Sequence, residues 1–390
     1  MHAESSKAAS RNPHMKLNGY KIIRLTPPRD AFIMIMLETD AGISGWGEIT
    51  GSGHDGAAVL FADEALKTML GRDPTKIGDC MADLMRFKAP PLRDHCAMTA
   101  FSGVGQALWD INARAQEKPL YRLLGEGDET VVPLYANLNR GLLRDRRPEA
   151  FADHAERAIS EGFRFVKATP FDELTPAHTD PCVLQPALKR LEATSKAVGA
   201  QKVAVDCHWR FNLALAEAFL SWTERHPPFY WLEDLLEMDT PDAAVGEFRA
   251  RFPGVCWAGG ETLDHPAEAK SLLDGPARPD IFMPDVKYLW PLDTLSDLLS
   301  YARKRGSRLS LHNPSGPIST AFSAHVCVAS AAEEPLEFAF AAVENRSGLV
   351  GPDEPIASGA YHVSEKPGIG ISPTLAALEN FGEILAKGAL

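Results

Sequence analysis

Two periodicities divide the chain. Near its start, apolar positions alternate with polar ones: "YKIIRLTPPRDAFIMIMLETDAGISGWGEIT" predicts a strand around Lys21 to Leu25, a second from Phe32 to Glu38, and a third in "GISGWGEI" after the Asp40-Ala41-Gly42 turn. Three short strands joined by turns form an antiparallel meander. Apolar spacing then lengthens to three or four residues in "DGAAVLFADEALKTML", "GDCMADLMRF" and "CAMTAFSGVGQALWDINARAQ", which predicts helices, and "KPLYRLLG" predicts a further helix stopped by Gly125. Residues 16–128 therefore form an α+β unit, preceded by a flexible tail over residues 1–15.

Beyond residue 128 an apolar strand and an amphipathic helix alternate every 25 to 35 residues. The strands are "VVPLYANL", "FRFVKATP", "KVAVDCHW", "FYWLED", "CWAGGE", "IFMPDV", "RLSLHN" and "LEFAF". Between them lie "RPEAFADHAERAISEG", "LQPALKRLEATSKAVG", "NLALAEAFLSWTERH", "TPDAAVGEFRARF", "HPAEAKSLLDG" and "LDTLSDLLSYARKRG". Strands alternating with helices imply parallel strands joined by right-handed crossovers, and about eight such units point to an α/β fold of (β/α) barrel type over residues 129–344. An open doubly wound sheet is the second choice, but no Gly-x-Gly-x-x-Gly follows an early strand. Residues 345–390, with "KPGIGISP" and a last helix in "TLAALENFGEILAKG", are expected to pack back on the first unit.

Charge removes several function classes. Lysine and arginine number 40 against 52 acidic residues, a net charge of -12, and no basic stripe interleaves with aromatics, so a nucleic-acid partner is excluded. No run of about 18 apolar residues could span a membrane, and the opening "MHAESSKAASRNPHMK" lacks the apolar segment of a signal peptide. The six cysteines are scattered without a Cys-x-x-Cys pair, which favours reduced thiols and a cytoplasmic setting.

In a barrel, the C-terminal ends of the strands form one mouth, where chemistry is kept. Read in order, these ends present Lys167, Asp206 with His208, Glu233 with Asp234, Glu261, Asp285, His312 and Glu337. A single strand-end carboxylate serves as well for a helix cap or a turn, and Asp285 and Glu337 each fit that plainer role. Asp206, Glu233 and Glu261 are different, because they fall on consecutive strands 27 and 28 residues apart and would converge. Converging carboxylates repel unless a cation lies among them, and an all-oxygen set suits a hard ion, Mg²⁺ ahead of Mn²⁺. Lys167 would otherwise be an idle ammonium at the inner end of a barrel. His208 and His312 fit satisfied core histidines equally well one at a time. However, Asp285, one strand before His312, supplies the partner that would orient its imidazole. In a strand, Asp206, His208 and Arg210 face one way and Cys207 the other.

With these residues in place the sequence resembles the enolase superfamily, in its mandelate racemase/muconate lactonizing enzyme-type branch, from about Leu17 onward. The "LETDAGISGWGEI" and "SGVGQALWDINARAQEKPLYRLLG" segments resemble the family's capping-domain signatures. The resemblance implies a modified (β/α)7β barrel with an α+β capping domain completed by the C-terminal segment. It also implies three metal carboxylates at Asp206, Glu233 and Glu261, a dyad of Asp285 and His312 in "MPDV" and "LHNPSGP", and a homo-oligomer, a dimer or octamer. Family sites pair a lysine or histidine base with Mg²⁺ that stabilises an enediolate. Racemases of this type carry Lys-x-Lys on the second barrel strand, whereas "VKATP" puts Thr169 in the second place. "DCHWR" is instead similar to the Asp-x-His-x-Arg of galactonate- and mannonate-type sugar-acid dehydratases.

The implied reaction is dehydration of a small-molecule sugar acid, an aldonate or aldarate. His312 would abstract the proton α to the carboxylate, and Lys167 and the metal would stabilise the growing charge. His208 would protonate the departing 3-hydroxyl, leaving a 2-keto-3-deoxy acid. Glu337 would hydrogen-bond a substrate oxygen if protonated, or share its proton. Arg210, His54 and Arg29 are the substrate-binding candidates, the last two from capping loops "TGSGHDGA" and "TPPRD". Two departures from the family alter the mouth: "EDLLE" replaces Glu-Asp/Glu-Pro, and Leu289-Trp290 replaces Gly-Gly. The alternatives are an epimerase, racemase or lactone cycloisomerase, a non-catalytic metal-binding paralogue, and a barrel hydrolase with paired carboxylates, which would have no use for a third carboxylate or for Lys167.

Overall fold

A computed structural model describes residues 15–51, 53–86, 94–289 and 295–390. The tail expected over residues 1–15 lies outside the described residues except for Met15, which is buried. Ser52 and Trp290 also lie outside them.

The capping domain is built on an antiparallel meander, β1 (Leu17–Leu25), β2 (Phe32–Thr39) and β3 (Ser44–Glu48), covered by α1 (Asp55–Met69), α2 (Ile77–Arg86) and α3 (His95–Ala115). Helix α3 lies close on β3 because glycines stand at the crossing. A Cβ at Gly47 would sit 2.0 Å from Gly103 O, and one at Gly103 would sit 2.2 Å from Ile49 Cγ2. A short α4 (Tyr121–Leu124) ends at Gly125 and leads into the barrel.

Eight parallel strands follow: β4 (Val131–Asn137), β5 (Val166–Ala168), β6 (Val203–Asp206), β7 (Leu232–Glu233), β8 (Trp257–Gly259), β9 (Ile281–Phe282), β10 (Arg308–Leu309) and β11 (Leu336–Ala339). Each pairs with the next from β4 to β10, and β11 pairs with β4. Backbone bonds from Glu334 N to Leu309 O (3.0 Å) and from Glu337 N to Leu311 O (3.4 Å) join β11 to the β10 side and complete the ring. Seven helices alternate with the strands: α5 (Pro148–Ser160), α6 (Gln185–Val198), α7 (Leu213–Thr223), α8 (Asp242–Arg251), α9 (Pro266–Asp274), α10 (Leu295–Lys304) and α11 (Pro317–Ser330). This is the expected (β/α)7β arrangement. Helix α11 has no counterpart among the predicted helices, because "PISTAFSAHVCV" is buried on every side and shows no polar face to mark its period.

The C-terminal segment first runs along the barrel and only then returns to the cap. Two-stranded pairs form from β12 (Val350–Gly351) with β15 (Ser372–Pro373) and from β13 (Ile356–Ala357) with β14 (Ala360–His362), and β14 also pairs antiparallel with β4. The helix predicted over "TLAALENFGEILAKG" is corrected: α12 (Leu375–Phe381) stops at Gly382, and β16 (Gly382–Ala389) is a strand paired antiparallel with β1. Its register sets Ile384 against Ile23 and Glu383 against Arg24, so the free edge of the meander, not helical spacing, decides its conformation.

Candidate active site

The barrel strands end in register where the polar residues begin. Asn137 on β4 pairs with Lys167 on β5, and Asp206 on β6 pairs with Glu233 on β7, so these side chains leave neighbouring strands at one level. Directly below them Tyr135, Phe165 and Trp231 fill the barrel: the Tyr135 and Phe165 rings stack at 4.8 Å, and Trp231 meets Tyr135 edge-on at 5.4 Å. The polar groups therefore rest on an aromatic floor that excludes water and strengthens every charge interaction above it.

Lys167 is the centre of this layer. It is fully buried, with Nζ 2.7 Å from Glu233 Oε1, 3.0 Å from Glu337 Oε1 and 3.8 Å from Asp206 Oδ2. Burial works against its charge, but Glu233 and Glu337 outweigh it and hold the ammonium proton well above the usual lysine range. Glu233 is anchored on its other oxygen by Trp231 Nε1 at 3.0 Å. Burial, more than the neighbouring carboxylates, raises the Glu233 carboxyl.

His208 reaches Asp206 by a route the alternation did not anticipate. The strand stops at Asp206, and His208 and Trp209 adopt left-handed φ angles of 48° and 53°. This turn folds the imidazole back, so that its Nε2 lies 2.9 Å from Asp206 Oδ2 while its backbone N–H donates to Oδ1. Burial opposes the imidazolium, yet Asp206 prevails and raises the His208 pKa. Thr169 donates to the same Oδ2 at 3.2 Å. Cys207 points into the apolar core.

On the far side, His312 Nδ1 lies 2.8 Å from Asp285 Oδ2, and its Nε2 lies 3.0 Å from Glu261 Oε2. Buried Lys287 stands 3.3 Å from that same Asp285 oxygen. Burial pushes the Asp285 carboxyl up, but Lys287 and His312 bring it below its ordinary value, so the dyad carboxylate is ionised. Glu337, for which a role was expected only if protonated or by sharing its proton, is an acceptor here: Asn137 Nδ2 (2.6 Å) and Asn313 N–H (2.9 Å) donate to its oxygens. Against burial, Lys167, His312 and these donors lower its pKa.

Lys167, Asp206, His208, Glu261 and His312 line one cavity of about 400 Å³ under the cap, together with His54, His95, Asn139, Arg140, Trp209, Arg210 and Tyr288. Arg210 spends Nη1 on the carbonyls of Phe171, Asp172 and Leu174, so it braces the mouth. Arg29 is not in the cavity lining; it pairs with Glu344 at 2.6 Å, outside. Arg140, unmarked in the sequence, does line the cavity and is held by Asp30 of the capping loop at 2.6 Å.

The carboxylates fit a hard divalent cation on a structural ground. Donor oxygens of Glu233, Asp234 and Glu261 all lie within 4.8 Å of one another. Among them Asp234 Oδ2 is buried and accepts no hydrogen bond, and Glu261 Oε2, also buried, has His312 Nε2 3.0 Å away. Burial and mutual repulsion raise both carboxyls well above the ordinary range, a cost that a cation would remove.

Comparison with known proteins follows the same lines. Residues 150–377 match the family model for the enolase C-terminal domain-like fold, and residues 6–125 match that for the mandelate racemase/muconate lactonizing enzyme N-terminal domain. A D-xylonate dehydratase of Haloferax volcanii is 27% identical over 361 residues, 89% of this chain and 84% of that protein. A D-galactonate dehydratase of Verminephrobacter eiseniae is 28% identical over 322 residues, 78% of each chain. A D-gluconate dehydratase of Thermoproteus tenax is 26% identical over 352 residues, 90% of this chain and 69% of that one. The crystal structure of an enolase superfamily member from Salmonella Typhimurium superposes with a TM-score of 0.84 at 22% identity, covering 96% of this chain and all of that one. Among the described residues no helix is long and apolar enough to cross a membrane.

Proposed function

The chain belongs to the enolase superfamily, in its mandelate racemase/muconate lactonizing enzyme branch, and from that premise we propose that it is a dehydratase of sugar acids, a hydro-lyase acting on an aldonate or aldarate. The observation that carries this reading is two imidazoles in one cavity, each with its own carboxylate: His312 on Asp285 and His208 on Asp206. In this reading one takes a proton and the other gives one. Thr169, bonded to Asp206, leaves the second barrel strand without a second base. The dehydratase names of relatives acting on D-xylonate, D-galactonate and D-gluconate support the class.

In this reading Asp206, Glu233 and Glu261 hold Mg²⁺, with Mn²⁺ the second choice. When bound, the cation supplies Lewis acidity to the substrate carboxylate and 2-hydroxyl. Lys167, fixed beneath the carboxylates, adds positive potential where the substrate carboxylate gains charge. His312, with Nδ1 tied to Asp285, presents Nε2 to the α-carbon and takes its proton while the electron pair moves into the carboxylate. That pair returns to form the C2–C3 double bond as the C3–O bond breaks, and His208 delivers the proton with which the hydroxyl leaves as water. The enol then loses its hydroxyl proton and gains one at C3, giving the 2-keto-3-deoxy acid, and solvent resets both imidazoles.

Incubation with a panel of aldonic and aldaric acids in Mg²⁺, beginning with D-xylonate, D-galactonate and D-gluconate, should yield a 2-keto acid lighter than its substrate by one water. Conversion at unchanged mass, to an epimer, or loss of water to a lactone without a 2-keto group, would count against the dehydratase reading.

A further inference from the structure

The residue after Glu233 is turned toward the site by the backbone. In a straight strand Asp234 would face away from Glu233. Here it takes a left-handed φ of 46°, its N–H donates to Ala258 O at 3.2 Å, and its carbonyl accepts from Trp209 N–H at 2.7 Å. Gly259 keeps the space beside it open, since a Cβ there would lie 2.8 Å from Asp234 Oδ1. The turn brings its carboxylate into the group with Glu233 and Glu261.

The hydrogen bonds separate these carboxylates into two kinds. Asp206 is satisfied by the protein, through His208 and Thr169. Asp234 Oδ2 is not, although the atom is buried, and buried Glu261 Oε2 has the His312 imidazole 3.0 Å away, a partner that donates to it only when Nε2 carries a proton. An unpaired buried carboxylate oxygen is costly unless a cation or donor faces it, and Asp234 belongs to one cluster with Glu233 and Glu261. We propose that Asp234 is a fourth carboxylate ligand of the cation site, acting beside Glu233 and Glu261. The inference rests on the cation reading above.

The test is direct binding of Mn²⁺ to the chelator-stripped full chain without substrate, followed by electron paramagnetic resonance of the free ion. Asp234→Asn keeps a residue type that tolerates left-handed φ, and Asp234→Gly removes the side chain at a backbone conformation glycine adopts freely. Both should bind Mn²⁺ at least about tenfold more weakly than the parent while melting within a few degrees of it, since even residues behind a metal's ligands are worth about 10- to 100-fold. Glu261→Gln should weaken binding at least as much. Parent-like affinity, within twofold, in either folded Asp234 variant overturns the role of Asp234 and leaves the metal reading standing. An unmodified chain that binds no Mn²⁺ overturns both.

Discussion

Removing the carboxylate of Glu48 should loosen the loop that carries His312, although Glu48 lies in the other domain. Glu48 ends β3, is fully buried, and accepts the Gly316 N–H at 2.7 Å and the Ser319 N–H at 2.9 Å. These are orphan amides at the start of α11, so a capping-domain side chain serves as the helix cap of a barrel helix. Gly316 permits the approach, because a Cβ there would lie 2.7 Å from the Glu48 carboxylate. Hydrogen bonds to a charged group contribute about 1.5–3 kcal/mol each, so losing both in Glu48→Ala should cost about 3–6 kcal/mol. With an unfolding entropy of about 2.1 cal/mol/K per residue, a chain of 390 residues has about 0.8 kcal/mol/K, and 4 kcal/mol corresponds to a fall of about 5 °C in Tm. Glu48→Gln keeps one acceptor oxygen and should lie about halfway. The assay is a thermal melt by circular dichroism, with exposed Glu64→Gln as the control, alongside turnover of the sugar acid found by screening. A Glu48→Ala melt within a degree of the control would refute the reasoning, as would reduced stability with unchanged turnover for its second half.

Three further outcomes separate the roles assigned above. His208→Asn should abolish loss of water, by about 10²–10⁴-fold, yet keep exchange of the α-proton with solvent deuterium, whereas His312→Asn should abolish both; equal loss of exchange in the two would remove the division of labour. Lys167→Met leaves Glu233 and Glu337 buried without their counter-ion and should lower stability by about 3–5 kcal/mol in chelator, with part of the loss recovered in Mg²⁺; a melt unchanged by the substitution would mean that the lysine does not neutralise them. His325, buried in α11 and accepting the Tyr121 N–H at 3.1 Å, has its pKa lowered by burial to about 4. It is neutral when folded and protonates near pH 6.5 when unfolded, so its contribution is complete above that value and is lost as pH falls toward 4. Between pH 7 and 5 this amounts to about 2 kcal/mol, and the pH dependence of denaturant stability in His325→Gln should be shallower by that amount.

The parts of this molecule visible in the sequence are those with a short repeat. Alternation located the meander, and the strand-helix repeat located all eight barrel strands with their polar ends, because a barrel forces each strand to deliver its last residue to one rim. What escaped notice had no local signature. Helix α11 is apolar all round and so carries no 3.6-residue contrast. The terminal strand β16 is specified by a partner more than 350 residues away. Asp234 was placed at a strand end, but alternation turns it outward, and only its left-handed φ turns it in. Glu48 reads as the polar end of an edge strand, and its partners lie 268 and 271 residues further on. Arg29 was expected at the site for its charge and loop, yet Glu344 claims it.

The sheet order of the cap, β16-β1-β2-β3, also sets a sequence of events during synthesis. Strand β1 leaves the ribosome first, but its outer edge stays unpaired until β16 emerges, after every barrel strand has been made. For that interval the nascent chain presents an apolar strand with free backbone groups, the kind of edge on which chains join to one another. The barrel can fold in the meantime, and the lid over its mouth is sewn shut last.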